Sequence, residues 1–200
     1  MKKILVSLSI IAAVGAITVG ATTAYFSDAE TSSGNTFTAG TLDLNLDGAD
    51  VNVVKFSLDN LKPGDSGSGT WTVNNVGSLG GFLDLENIVL VDDDNNCNDP
   101  EADVDDSCGA SLGGELSVNM NVDLFVDNNN NGSLDTGETM VYSGSLKSMA
   151  ANYELDLVLA AGDTDYITLN WTIPADVGNI IQSDSTALGI TFELGQTAGQ

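Results

Sequence analysis

The chain has 200 residues, with 29 acidic side chains against five basic ones, all of them lysine, and no histidine, for a net charge of −24. At roughly 100–200 residues per domain this length holds one globular domain, and 42% apolar residues supply a core despite the charge. Lacking histidine and arginine, the chain can build no Ser-His-Asp or Cys-His nucleophile system, no His-ligated zinc, no HExxH motif, no basic footprint for nucleic acid and no arginine clamp for phosphate.

Met1-Lys2-Lys3 opens a targeting segment. Residues 4–24 are uncharged, and Thr22-x-Ala24 presents small side chains where a signal peptidase cuts. The expected signal peptide is 1–24 with cleavage at Ala24; the alternative is a retained membrane anchor, because about 20 uncharged residues span a bilayer. Cleavage leaves a mature chain from Tyr25 with three lysines against 29 acids, a charge of −26.

The body alternates with period two, which puts one face of a strand in the core and the other in water. Leu42, Leu44 and Leu46 alternate with Asp43, Asn45 and Asp47. The pattern returns in Val54-Phe56-Leu58, in Trp71-Val73, most clearly over 117–126, then in Leu155-Leu157-Leu159, Ile167-Leu169-Trp171-Ile173 and Ile190-Phe192-Leu194. Pro63-Gly64-Asp65 signals a turn. A short helical piece is expected over 145–152. Many short strands without a βαβ rhythm imply an all-β, antiparallel β-sandwich, jelly-roll-like or Ig-like, with at most one or two short helices. No linker divides 41–200, which reads as a single sandwich domain.

Between the strands lie two acidic loops. Residues 92–108 carry eight acids and both cysteines of the chain. In an exported protein Cys97 and Cys108 are expected to form a disulfide, worth about 3 kcal/mol for a loop of this size. No loop template fits the acids, so they read as a solvated loop, with a second cation site led by Asp92 and Asp94 as the alternative. A glycosidase-like acid/base pair needs an apolar pocket that so wet a loop does not offer.

The second loop is specific. Residues 127–138, DNNNNGSLDTGE, match the twelve-residue calcium template D-x-[DN]-x-[DN]-G-x5-E at every defined place. Asp127, Asn129 and Asn131 supply side-chain oxygens, Gly132 allows the sharp turn, Ser133 offers its carbonyl, Asp135 acts directly or through water, and Glu138 closes the site. Calcium (Ca2+) prefers six to eight oxygens, and this spacing wraps them around a point. The flanks read as strands, so the loop is expected in a β-hairpin; an Asn/Asp-rich turn without metal is the plainer reading.

The motifs Ala24-Tyr25-Phe26-Ser27-Asp28 and Phe37-Thr38-Ala39-Gly40-Thr41-Leu42-Asp43-Leu44 resemble the start of the TasA/camelysin family of exported matrix proteins. The likeness continues in Leu58-Asp59-Asn60-Leu61-Lys62-Pro63-Gly64-Asp65, in Trp71-Thr72-Val73-Asn74-Asn75-Val76-Gly77-Ser78-Leu79, in Gly114-Glu115-Leu116-Ser117 and, more loosely, over 179–185. The resemblance implies a SipW-type signal peptidase during export and a jelly-roll sandwich that polymerises head-to-tail with copies of itself into extracellular fibres or pili. In such fibres the N-terminal strand of one subunit completes a sheet of its neighbour. The chain departs from the best-known members in its acidity, its cysteine pair and its calcium loop.

Donor-strand exchange also suits the segment 25–40. It holds few apolar residues, so it buries itself poorly alone yet can add hydrogen bonds to an open sheet edge. Tyr25, Phe26 and Phe37 are its expected anchors; a frayed tail or the subunit's own first strand is the alternative. The expected function is therefore an extracellular structural subunit of biofilm-matrix fibres, stabilised by calcium, with accessory matrix proteins as further partners, no small-molecule substrate and no enzymatic activity. A monomeric calcium-stabilised adhesion or carbohydrate-binding module on the same sandwich is the competing expectation.

Overall fold

The computed structural model describes residues 39–49, 61–95, 97, 99–108 and 113–199, all within the compact unit Ala39–Gln200. The expected signal peptide with Ala24, the anchors Tyr25, Phe26 and Phe37, and the strand expected over 54–58 lie outside the described residues.

Among the described residues eight strands make two antiparallel sheets: β1 (Leu44–Leu46), β2 (Ser66–Asn75), β3 (Gly81–Asp93), β4 (Asn121–Val126), β5 (Thr139–Ser145), β6 (Tyr153–Leu159), β7 (Thr164–Thr172) and β8 (Ser185–Gly195). One sheet runs β1-β2-β7-β4-β5 and the other β6-β3-β8. Two four-residue helices, α1 (Asp99–Ala102) and α2 (Leu116–Asn119), stand between β3 and β4. The all-β antiparallel sandwich is as the sequence leads one to expect.

Alternation decides which face is inside. Trp71 and Val73 on β2, Val122, Leu124 and Val126 on β4, and Ile167, Leu169 and Trp171 on β7 point inward from the five-stranded sheet. Leu83 and Leu85 on β3, Leu159 on β6 and Phe192 on β8 meet them from the other sheet. The Trp71 and Phe192 rings lie 5.6 Å apart in a tilted pair, a geometry aromatic quadrupoles favour. Gly67 is needed where β2 passes Trp171, since a Cβ there would sit 2.8 Å from the indole. The Pro63-Gly64-Asp65 turn forms as expected: the Asp65 N–H donates to Lys62 O at 3.0 Å and Gly64 takes φ +91.

Two local expectations change, and one strand is unanticipated. The alternating run 117–126 is a strand only from Asn121, and its first part is α2. The reason is tertiary, because the Leu116 N–H donates to Asp184 Oδ2 at 2.8 Å, which fastens the helix start from 68 residues away. The piece at 145–152 narrows to a 3-10 turn, Leu146–Ser148. β3, the longest strand, has no clean alternation because its register shifts twice, between Leu83 and Leu85 and between Glu86 and Val89. Asn87 takes φ +47 within the second shift, a conformation asparagine tolerates better than most residues.

Candidate metal centre

The loop 127–138 joins β4 to β5, which pair as a hairpin with Leu124 opposite Tyr142 and Val126 opposite Thr139. It lies over the outer face of the five-stranded sheet. Asp127 is fully buried, and its Oδ2 accepts from the Gly132 N–H at 2.8 Å and from the Thr168 hydroxyl at 2.9 Å. Its Oδ1 accepts from the Asn131 N–H at 3.1 Å. Burial alone would push this carboxyl up, but the bonds from Gly132, Thr168 and Asn131 outweigh it and hold Asp127 below the usual carboxylate range. Asn170 of β7 donates its amide to Gly132 O at 3.2 Å, and Phe125, opposite Thr168 on this face, is fully buried. The loop thus covers the sheet that positions it.

Around Asp127 the template residues converge. The Asn131 N–H is shared between Asp127 Oδ1 and Asn129 Oδ1, at 3.1 Å each, which brings those two oxygens together. Asn131 Oδ1 accepts from the Ser133 N–H at 2.8 Å. Asp135 Oδ2 accepts from the side-chain amides of Asn129 and Asn131, at 2.9 and 2.8 Å. Glu138 folds back so that its two oxygens accept the N–H groups of Asn128 and Asp135, at 2.9 Å each. Gly132 sits at φ +75, as a sharp turn at the template's sixth position requires.

The donor set is oxygen only, contains three carboxylates, and has no lysine among its hydrogen-bond partners in the described residues. That suits a hard divalent cation. Binding one would require the Asn129 and Asn131 amides to turn their oxygens where their NH2 groups now meet Asp135. Sequence reasoning found every residue of the loop and missed Thr168 and Asn170, which lie some 40 positions away on β7; their only signal is a polar place on the outward face of an alternating strand.

At 92–108 Cys97 and Cys108 form a disulfide, with Cα atoms 5.5 Å apart. The loop is solvated only in part: Asp93, Asp99, Asp103 and Asp106 are exposed as expected, but Glu101 is fully buried, and Asp94 and Asp105 are each 7% exposed. Asp94 and Glu101 oxygens lie within 4.8 Å of each other and of Cys97 Sγ, while an Asp105 oxygen is equally close to both sulfurs. The sulfurs are oxidised and are therefore not thiolate ligands. Asp92 and Asp94 have different surroundings. Asp92 Oδ2 accepts from Lys147 Nζ at 2.6 Å and from the Ser117 hydroxyl at 2.9 Å, so its charge is already neutralised.

Two further acids, which the sequence did not single out, adjoin this group. Glu115 Oε1 shares the Ser107 hydroxyl with Asp105 Oδ1, at 3.0 and 2.6 Å. Burial, reinforced by the charges of Asp105 and Asp94, raises the Glu115 carboxyl. Asp184, at the start of α2, is pushed up to about 6, by burial first and then by the charges of Glu101 and Glu115 against its backbone hydrogen bonds.

No helix among the described residues is long and apolar enough to cross a membrane. No curated protein matches the chain. A family model described as camelysin metallo-endopeptidase matches residues 1–200. With the match running from end to end, the chain belongs to the camelysin family.

Proposed function

We propose that this protein is an extracellular structural subunit that polymerises by N-terminal donor-strand complementation and is stabilised by calcium in the loop 127–138. The observation that carries the reading is the sandwich's open side. Among the described residues β5 pairs with β4 alone and β6 with β3 alone, so each sheet ends in an edge with unpaired backbone groups. Between these edges runs a groove of about 320 Å³, lined mainly by apolar side chains such as Met140, Val141, Tyr153 and Leu155, with Thr139 and Glu154 among them. An extended segment carrying Tyr25, Phe26 and Phe37 is suited to both, giving backbone hydrogen bonds to an edge and rings to the groove. Membership of the camelysin family supports an exported setting.

The family's name points to a peptidase. The reading here is non-enzymatic, because the chain has no histidine and its two cysteines are joined in the disulfide, which leaves oxygen donors and no nitrogen or sulfur ligands of the kind zinc sites use. In the loop, Asp127, Asn129, Asn131, Ser133, Asp135 and Glu138 would hold the ion, whose role would be to neutralise their charge and fix the hairpin over β7.

Electron microscopy of the mature chain beside a variant lacking residues 25–36 tests the reading. The full mature chain is expected to form fibres and to leave casein intact, while the truncated chain stays a folded monomer. Monomers from both at high concentration and salt would overturn the polymer, and metal-dependent casein cleavage would overturn the non-enzymatic part.

A further inference from the structure

The cross-strand pair of Thr70 and Thr168 lies beneath the loop 127–138. β2 and β7 set these residues opposite one another, and alternation turns both to the outer face, away from Trp71 and Ile167 in the core. Threonine is at home on a wet sheet face, but Thr168 is fully buried there, with Phe125 of β4 on its other side. A buried hydroxyl must place its single proton or carry a desolvation cost. Thr168 Oγ1 has Asp127 Oδ2 at 2.9 Å and Thr70 Oγ1 at 2.7 Å.

The order of the protons follows from what each group can do. Asp127, whose carboxyl is held below its usual range, is ionised at neutral pH, and an ionised carboxylate only accepts. The Thr168 proton therefore goes to Asp127, and the proton between the two threonines belongs to Thr70. The chain of donors runs from Thr70 to Thr168 to Asp127, across β2, β7 and the end of β4, and each bond polarises the next. It also distinguishes the two oxygens of Asp127. Oδ2 accepts from the Thr168 hydroxyl and from the Gly132 N–H at 2.8 Å, which uses both its lone pairs. Oδ1 has the longer contact, 3.1 Å to an Asn131 N–H that it shares with Asn129 Oδ1.

We propose that Thr168, backed by Thr70, is a positioning residue of the cation site: it pins Asp127 Oδ2 to the sheet and leaves Oδ1, beside Asn129 Oδ1, as the oxygen that Asp127 gives to calcium. The inference rests on the calcium reading of the loop 127–138 and adds to it a supporting layer on two strands outside the loop's own sequence. A loop of this template is ordinarily held between two helices; here the sheet takes their place. Ligating carboxylates depend on such outer partners, whose loss typically costs about 10–100-fold in metal affinity.

Isothermal titration of the full mature chain at pH 7, stripped with chelator and titrated with calcium chloride, tests this, with circular dichroism to show that each variant is folded. Thr168→Val keeps the shape of the side chain and removes its hydroxyl, and the Kd for calcium is expected to rise about 10–100-fold. Thr168→Ser restores the hydroxyl without the methyl and should bring Kd back close to wild type. Thr70→Val, which removes only the second bond of the chain, should weaken binding less. A purely structural role would lower the thermal midpoint in chelator and leave Kd unmoved. Glu138→Gln separates the two readings. If it abolishes binding while Thr168→Val binds as wild type does, the loop site stands and the positioning role is overturned. A loss in Thr168→Val that Thr168→Ser does not recover overturns it as well. If the wild-type chain takes up no calcium, or Glu138→Gln binds it unchanged, the loop reading falls and this inference with it. Should Thr168→Val fail to fold, Thr70→Val decides, weakened binding supporting the chain of donors and a wild-type Kd overturning it.

Discussion

Lys147 and Asp92 illustrate how one residue settles the character of a region. The Asp92 side chain is only 3% exposed, whereas that of Lys147 is half-exposed. Burial would push the Asp92 carboxyl up, but the bonds from Lys147 and Ser117, with the charge of Lys147, outweigh it and hold the group below its ordinary value. A carboxyl depressed in the folded state stabilises the fold above its unfolded value of about 3.9, and that contribution is lost as pH falls through the folded value. Lys147→Met should therefore cost about 1–2 kcal/mol at pH 7, below the 3–5 of a wholly buried pair because water still reaches the ammonium. Urea unfolding in chelator should show the gap between the two proteins steady down to about pH 4 and closing below it. An equal gap at pH 3 would mean that Lys147 acts through its alkyl stem. The sequence singled out Asp92 but not its partner, since 55 positions separate them and nothing in the pattern around Lys147 marks it.

Elements divide by how local their causes are. The loop 127–138 was legible almost entirely, because a twelve-residue template places its donors at fixed spacings and the flanking alternation declares the hairpin. Strands β2, β4, β6, β7 and β8 were legible in part from the same period-two pattern. α2 was not, since the carboxylate that fixes its start is contributed by Asp184, far along the chain. β3 was missed for a different reason: two register shifts break the alternation by which a strand is recognised. The hairpin loop carries its own prediction. An ion that binds only the folded chain stabilises it by about 2.7 kcal/mol at a hundredfold excess over Kd, which moves a midpoint by about 5–10 °C in a chain of this size. Glu138→Gln should forfeit most of the loop's share of that rise in calcium and change the midpoint little in chelator, as differential scanning fluorimetry would record. Equal losses in both conditions would assign Glu138 to its backbone bonds with Asn128 and Asp135, with no part in metal binding.

At the scale of the molecule the charge has both a buried and an exposed component. Part of it lies in the loop over β7 and part beside the disulfide, where Asp94, Glu101 and Asp105 are buried. Of the other described acids Asp84 is buried and most of the rest are exposed or half-buried, and the two described lysines are already engaged with Asp65 and Asp92. If residues 1–24 are removed and the subunit stacks head-to-tail as proposed, it carries −26 and brings like-charged surfaces within a few ångströms of each other. At physiological salt the Debye length is about 8 Å, so such contacts are only partly screened. Polymerisation should then depend steeply on ions. In chelator at low ionic strength the mature chain is expected to remain soluble through high-speed sedimentation. Sodium chloride at about 0.5 M, where screening is several-fold shorter-ranged, should shift it into the pellet. Calcium at matched ionic strength should do so more efficiently, because it both neutralises the loop and bridges carboxylates. If chelated protein sediments equally at low and high salt, the subunit contacts bury no net charge, and the acidity belongs to the sites and to solubility alone.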